Sequence, residues 1–279
     1  MNERITLAYS PCPNDTYIFA ALTNGLLADA PRVDVVLLDI DELNDAAADA
    51  RYPLTKVSYG AIPYLMRDYR LLRSGGALGR GCGPLVVARP DRVRNWSSLD
   101  DPLVAIPGER TTAFLLLQLA LGRCPRTQIM RFDRIVDAVA RGEVDAGLII
   151  HESRFTYQHA GLHALLDLGS WWEETTGRPI PLGAILARRD LGRERALAID
   201  AAVRDSLAFA RSDETAIMPY VREHAFEMDE AVMRAHIGLY VNDYSIDVGA
   251  EGMLAVEELF ARGRGAGILS DDANAAFIA

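Results

Sequence analysis

Leu103-Val-Ala-Ile-Pro-Gly-Glu-Arg-Thr-Thr-Ala-Phe-Leu-Leu-Leu-Gln-Leu-Ala-Leu121 is the stretch that decides the fold. Leu103 to Ile106 is a short apolar run that reads as a buried strand. Pro107 to Thr112 is a polar turn, and Ala113 to Leu121 is the helix it feeds. Strand, turn and helix in that order form the unit of an α/β sheet. The same unit recurs upstream. Ile5 to Ser10 reads as a strand, Ser10 to Asp15 as a turn and Asp15 to Leu22 as a helix. Val33 to Ile40 is a strand before the Ala-rich helix Asp41 to Ala50, and Leu54 to Tyr59 is a further strand. Downstream, Gln128 to Phe132, the helix Asp133 to Arg141 and the strand Asp145 to Ile150 continue the rhythm. A glycine-rich stretch, Gly75 to Gly83, and a polar connector, Asp91 to Asp101, interrupt it, and Leu182 to Arg188 returns as a strand. After Leu191 the spacing is helical: Ala196 to Arg211, Thr215 to Phe226, Asp229 to Tyr240 and Val248 to Arg262.

This pattern predicts two α/β lobes, each a mixed sheet flanked by helices, with a cleft between them. Residues 1–90 with 186–279 are expected to form the first lobe, its C-terminal helices packing back onto it, and residues 91–185 the second. Ligands of such folds bind at the carboxyl ends of strands, here in the cleft.

The chain has 279 residues, 50% of them hydrophobic, enough for more than one core. Its most apolar stretch, around Ala113 to Leu121, is too short to span a bilayer, so no membrane partner is expected. The net charge is −10 and the arginines are scattered, which argues against a nucleic-acid surface. Met1-Asn-Glu-Arg4 has neither a basic n-region nor an apolar h-region, so a cytoplasmic location is expected. Cys12, Cys82 and Cys124 lack metal-ligand spacing and read as free thiols. Among 29 basic residues, Lys56 is the single lysine. A position that keeps Lys against that bias is either a chance survivor or one that needs a compact ammonium.

Five polar clusters fall at strand ends. In Ser10-Pro-Cys-Pro-Asn-Asp-Thr16, Asn14, Asp15 or Thr16 caps the next helix, or the backbone N–H groups of the turn hold an anion. In Thr55-Lys-Val-Ser-Tyr59, strand alternation puts Lys56 and Ser58 on one face, which suits either an edge strand in solvent or a carboxylate or hydroxyl ligand. Gly75 to Gly83 lacks the Gly-Lys-Ser/Thr ending of a phosphate loop and reads as a hinge or a ligand-lining loop. Thr111-Thr112 opens a helix whose N–H groups suit a carboxylate, and one threonine suffices as a cap. His151 follows a buried strand, where a histidine is either structural or a general base. Phe155 rules out a zinc-binding His-Glu-x-x-His.

Four of the strings closely resemble the 1,4-dihydroxy-6-naphthoate synthases of the futalosine route to menaquinone. They are Ser10-Pro-Cys-Pro-Asn-Asp-Thr16, Leu54-Thr-Lys-Val-Ser-Tyr59, Arg73-Ser-Gly-Gly-Ala-Leu-Gly-Arg-Gly81 and Gly147-Leu-Ile-Ile-His-Glu-Ser-Arg-Phe-Thr-Tyr157. The resemblance implies a type II periplasmic-binding-protein-like fold used as a lyase, with no cofactor and no metal. The substrate it implies is cyclic dehypoxanthinylfutalosine, a carboxylate with a sugar-derived ring. The family's proton acceptor maps onto His151, and its substrate-binding segments onto Lys56, Val57 and Ser58 and onto Thr111 and Thr112. In that setting Lys56 or the Thr111-Thr112 amides hold the carboxylate, and Asn14 or Ser58 meets an oxygen that gains charge. The expected partner is a small carboxylate, bound by a monomer or a homodimer. Chorismate dehydratase on the same scaffold and a non-catalytic cytoplasmic carboxylate-binding protein are the competing expectations.

Overall fold

The computed structural model describes residues 4–226 and 229–278. Met1 to Glu3, on which part of the expectation about a leader rests, lie outside them. The elements in chain order are β1 (Ile5–Tyr9), α1 (Pro13–Thr23), β2 (Val33–Leu37), α2 (Ile40–Ala48), β3 (Leu54–Ser58), β4 (Tyr69–Leu71), β5 (Ala77–Gly79), β6 (Leu85–Ala88), β7 (Leu103–Ile106), α3 (Thr112–Leu121) and β8 (Arg126–Ile129). They continue with α4 (Phe132–Arg141), β9 (Ala146–Ile149), α5 (Ser153–Thr156), β10 (His163–Asp167), α6 (Leu168–Thr176), β11 (Ile180–Arg188), α7 (Arg193–Ser212), α8 (Glu214–His224), α9 (Glu230–Tyr240), α10 (Asp243–Ile246) and α11 (Gly249–Gly265).

Two mixed sheets result. The first has the order β2-β1-β3-β11-β4, with β5 also paired to β11. In it β1 is parallel to β2 and β3, and the returning β11 is antiparallel to β3. The second has the order β10-β6-β9-β7-β8, with β7 parallel to β8 and β9 and with β6 antiparallel to β9. The boundaries expected at 90 and 185 would each separate a strand from its hydrogen-bonded neighbours. Leu85 to Val87 pair with Gly147 to Ile149 of the second sheet, and Ile180 to Gly183 pair with Ala77 to Gly79 of the first. We therefore propose that the chain crosses between lobes at residues 80–84 and again at 168–179. The glycines help at these crossings. A Cβ on Gly83 would sit 2.2 Å from the backbone of Gly169, so the two crossing segments touch only because neither carries a side chain there.

Local chemistry explains the elements that carry the cleft. α3 starts where Thr111 caps it, its hydroxyl accepting from the N–H of Phe114, and ends at Gly122 in the left-handed region (φ 63°). α1 is buried from Pro13 to Leu22, its polar first turn of Asn14, Asp15 and Thr16 included. It is enclosed by α7, α8 and α9, so these C-terminal helices lie on the first sheet's side. Phe277 is bridged to Leu71 of β4 in the first sheet.

Candidate active site

Four parallel strand ends, two from each sheet, meet at one pocket. The turn after β1 contributes Ser10, Asn14 and Asp15, and β3 contributes Lys56 and Ser58. The turn after β7 contributes Thr111 to Ala113, and the one after β9 contributes Ile150 and His151. The walls are completed by residues of β11 and by His236 and Tyr240 of α9, around about 660 Å³ of empty space, its open mouth included.

His151 is held in the left-handed region at φ 57°. A non-glycine residue there is uncommon, and such backbone strain persists where the surroundings enforce it. The ring meets Phe132 edge-on, with centroids 4.9 Å apart. Its Nδ1 lies 3.3 Å from Cys12 Sγ. Burial dominates the ring's electrostatics and pushes its pKa down to about 4, which the Asp15 charge only partly opposes, so it is neutral at pH 7. Burial, then the charges of Glu152 and Asp15, push the Cys12 thiol well above its ordinary value. Cys12, His151 and Glu152 bring metal-ligating atoms within 4.8 Å of one another.

Lys56 does not lie on an edge strand in solvent. β3 runs between β1 and β11, and every residue of it is buried. Its ammonium pairs with Asp15 Oδ1 at 2.5 Å, with both side chains at 5% exposure or less. Asp15 also accepts from Ser10 and from the amide of Asn14, so the carboxylate is saturated by three donors. Asn14, Asp15 and Thr16 do not cap α1 with their side chains, as one expectation had it: the N-cap is Cys12, with no side-chain hydrogen bond. Asn14 instead bridges Asp15 and His236. Ser58 Oγ accepts from Asn44, which leaves the hydroxyl proton to be donated elsewhere. Val57 is the exception among the expected residues. Strand alternation turns its side chain to the other face, where it is buried in the core, and it does not line the pocket.

The two threonines do different work. The Thr111 hydroxyl donates to Gly108 O while it caps α3. The Thr112 hydroxyl donates to Leu182 O at 2.6 Å and accepts from Gly60 N at 3.1 Å, pinning α3 to the first sheet. What α3 presents to the pocket is its first turn, the positive end of a helix. Asp15, Cys12 as partner of His151, and His236 escape sequence reasoning as site residues. For His236 a faint signal exists: it falls on the apolar stripe of α9 with Met233, Ile237 and Tyr240, all buried.

A two-lobed protein with its polar groups gathered between two mixed sheets has the architecture of periplasmic binding proteins. A Candida albicans protein described as exhibiting the generic periplasmic binding protein fold superimposes with a TM-score of 0.71 over 97% of this chain and 93% of its own, at 12% identity. Among the described residues no helix is long and apolar enough to cross a membrane. The chain belongs to the family described as "Menaquinone biosynthesis", which matches residues 5–265. It is 50% identical to a 1,4-dihydroxy-6-naphthoate synthase of Thermus thermophilus, over 99% of this chain and 100% of the relative. It is 47% identical to the corresponding synthase of Streptomyces coelicolor, over 96% and 95%.

Proposed function

We propose that this protein is a cytoplasmic lyase of menaquinone biosynthesis that converts cyclic dehypoxanthinylfutalosine to 1,4-dihydroxy-6-naphthoate, with His151 as the general base. The observation that carries the reading is a neutral, strained histidine at the end of β9, facing the cleft in a chain half identical to such synthases. In the working tautomer Nδ1–H donates to Cys12 Sγ, and Nε2 holds the lone pair that takes the substrate proton. Loss of that proton expels the sugar carbon chain and leaves an aromatic ring. Enclosure between the lobes keeps water from the reacting atoms. The Ser58 hydroxyl donates to the oxygen that gains charge.

The substrate carboxylate goes to the first turn of α3 at Thr112 and Ala113. Lys56 is the weaker anchor, because Asp15 already neutralises it. Lys56 and Asp15 together form a polar wall of zero net charge. The test is incubation of metal-free protein with cyclic dehypoxanthinylfutalosine, followed by mass spectrometry, beside His151→Ala. Naphthoate from the wild type and almost none from the variant is the expected result. Substrate bound and returned unchanged by the wild type overturns the catalytic reading in favour of a binding protein. Turnover of chorismate instead identifies a dehydratase.

A further inference from the structure

Among the buried titratable groups at the pocket to which the reaction as described gives no task, His236 carries an unpaired ring nitrogen. His236 on α9 is 1% exposed and lines the cavity. Its tautomer follows from the contacts around Asp15. A carboxylate only accepts, so Asn14 turns its amide nitrogen to Asp15 Oδ1 at 2.8 Å. The amide oxygen of Asn14 therefore faces His236 Nε2, at 2.9 Å. That oxygen carries no proton, so Nε2–H is the donor. Burial, with His151 and the Lys56 charge nearby, keeps the ring pKa well below its ordinary value. The ring is neutral, and Nδ1 is a lone pair. This nitrogen is buried and has no hydrogen-bond partner among the described residues. Buried polar atoms are nearly always paired, so an orphan at the wall of a cavity asks for a ligand. Around it stand Tyr240, with ring centroids 4.5 Å apart, and His151, 6.5 Å away with its ring inclined by 20°.

We propose that His236 is a second substrate-binding histidine, whose Nδ1 accepts a hydrogen bond from a hydroxyl of the sugar-derived part of the substrate. An unprotonated nitrogen repels a carboxylate and attracts an O–H. His236 thus sets which way round the molecule enters: hydroxyls towards α9, carboxylate towards α3. The inference rests on the function proposed above and deepens it.

The decisive variant is His236→Gln. A glutamine amide reaches the place of Nε2 and keeps a donor for Asn14, but offers no acceptor at the place of Nδ1. A purely structural histidine would survive this exchange, and a ligand acceptor would not. The expected result is an unchanged Tm with KM raised about tenfold, the equivalent of about 1.4 kcal/mol for one hydrogen bond. His236→Asn, which returns an acceptor near Nδ1, is expected to recover part of that loss. Nitrogen-15 NMR of histidine-labelled His151→Ala protein supplies a readout that needs no variant at 236. The resonance of the lone-pair Nδ1 of His236 should move when cyclic dehypoxanthinylfutalosine is added. Wild-type kinetics in His236→Gln, or an Nδ1 signal unmoved by saturating substrate, overturns the inference while leaving the lyase reading intact. A wild type that neither binds nor turns over the substrate removes both.

Discussion

The neutral state of His151 makes a quantitative demand on the pH dependence of turnover. A base works in its deprotonated form, so the rate falls as pH drops through its pKa. Burial places that pKa at about 4 rather than at its ordinary value of 6.5. The difference corresponds to about 3 kcal/mol against protonation in the enclosed site, at about 1.4 kcal/mol for each pKa unit. With a pKa of about 4 the ring is about 90% neutral at pH 5, so kcat falls by only about a tenth between pH 7 and pH 5. An ordinary histidine would lose about 25-fold over the same interval. The profile of kcat reports the enclosed complex, in which this burial applies. The assay is naphthoate formation at saturating substrate from pH 4 to pH 8, with circular dichroism at each pH to confirm folding. His151→Ala run in parallel should lose about 10²–10⁴-fold in kcat at pH 7 and show no limb near pH 4. An acid limb centred near 6.5, or a variant with near-normal turnover, refutes the argument from burial or the assignment of the base respectively.

Other perturbations test the scaffold. Lys56→Met leaves the Asp15 carboxylate buried without its ammonium and should cost about 3–5 kcal/mol in urea unfolding. Lys56→Met/Asp15→Asn should recover part of this, and a single variant within 1 kcal/mol of wild type would sink the idea of a desolvated pair. Gly83→Ala forces a Cβ against the backbone of Gly169 and should lower stability by about 1–3 kcal/mol, measured by the same unfolding curves. The Asp41 carboxyl is pushed up to about 6, chiefly by burial and then by Asp45. An acid whose native pKa is raised favours the folded state when protonated, so its penalty develops as pH rises from about 4 to 6 and is complete above. Asp41→Asn should therefore raise Tm at pH 7 and have little effect at pH 4. An equal gain at both values would point to packing instead of charge.

How much of this was legible in the chain differs from residue to residue. Most strands and helices around the cleft appear in the sequence to within a few residues, because alternation, the helical period and caps such as Thr111 act within one turn or strand; β5 is the exception, since Gly75 to Gly83 reads as a hinge or loop although Ala77 to Gly79 pair with β11. His151 is visible for the same reason, as a polar side chain directly after a short apolar strand. The boundaries expected at 90 and 185 cut through paired strands because Leu85 to Ala88 reads alike in either sheet, and only its pairing with β9 and β10 places it.

The sequence by itself determined the alternating α/β order, the polar turns at the strand ends and the isolation of one lysine among arginines. Only the tertiary structure decided what these groups meet. Asp15 finds Lys56 across 41 positions, and Asn14 finds His236 across 222. The Thr112 hydroxyl meets the backbone of the facing sheet at Gly60 and Leu182. The physical reason is range. Propensity and capping depend on neighbours a few residues away, whereas the partner and tautomer of a buried polar group depend on which surfaces the folded sheets bring into hydrogen-bonding distance.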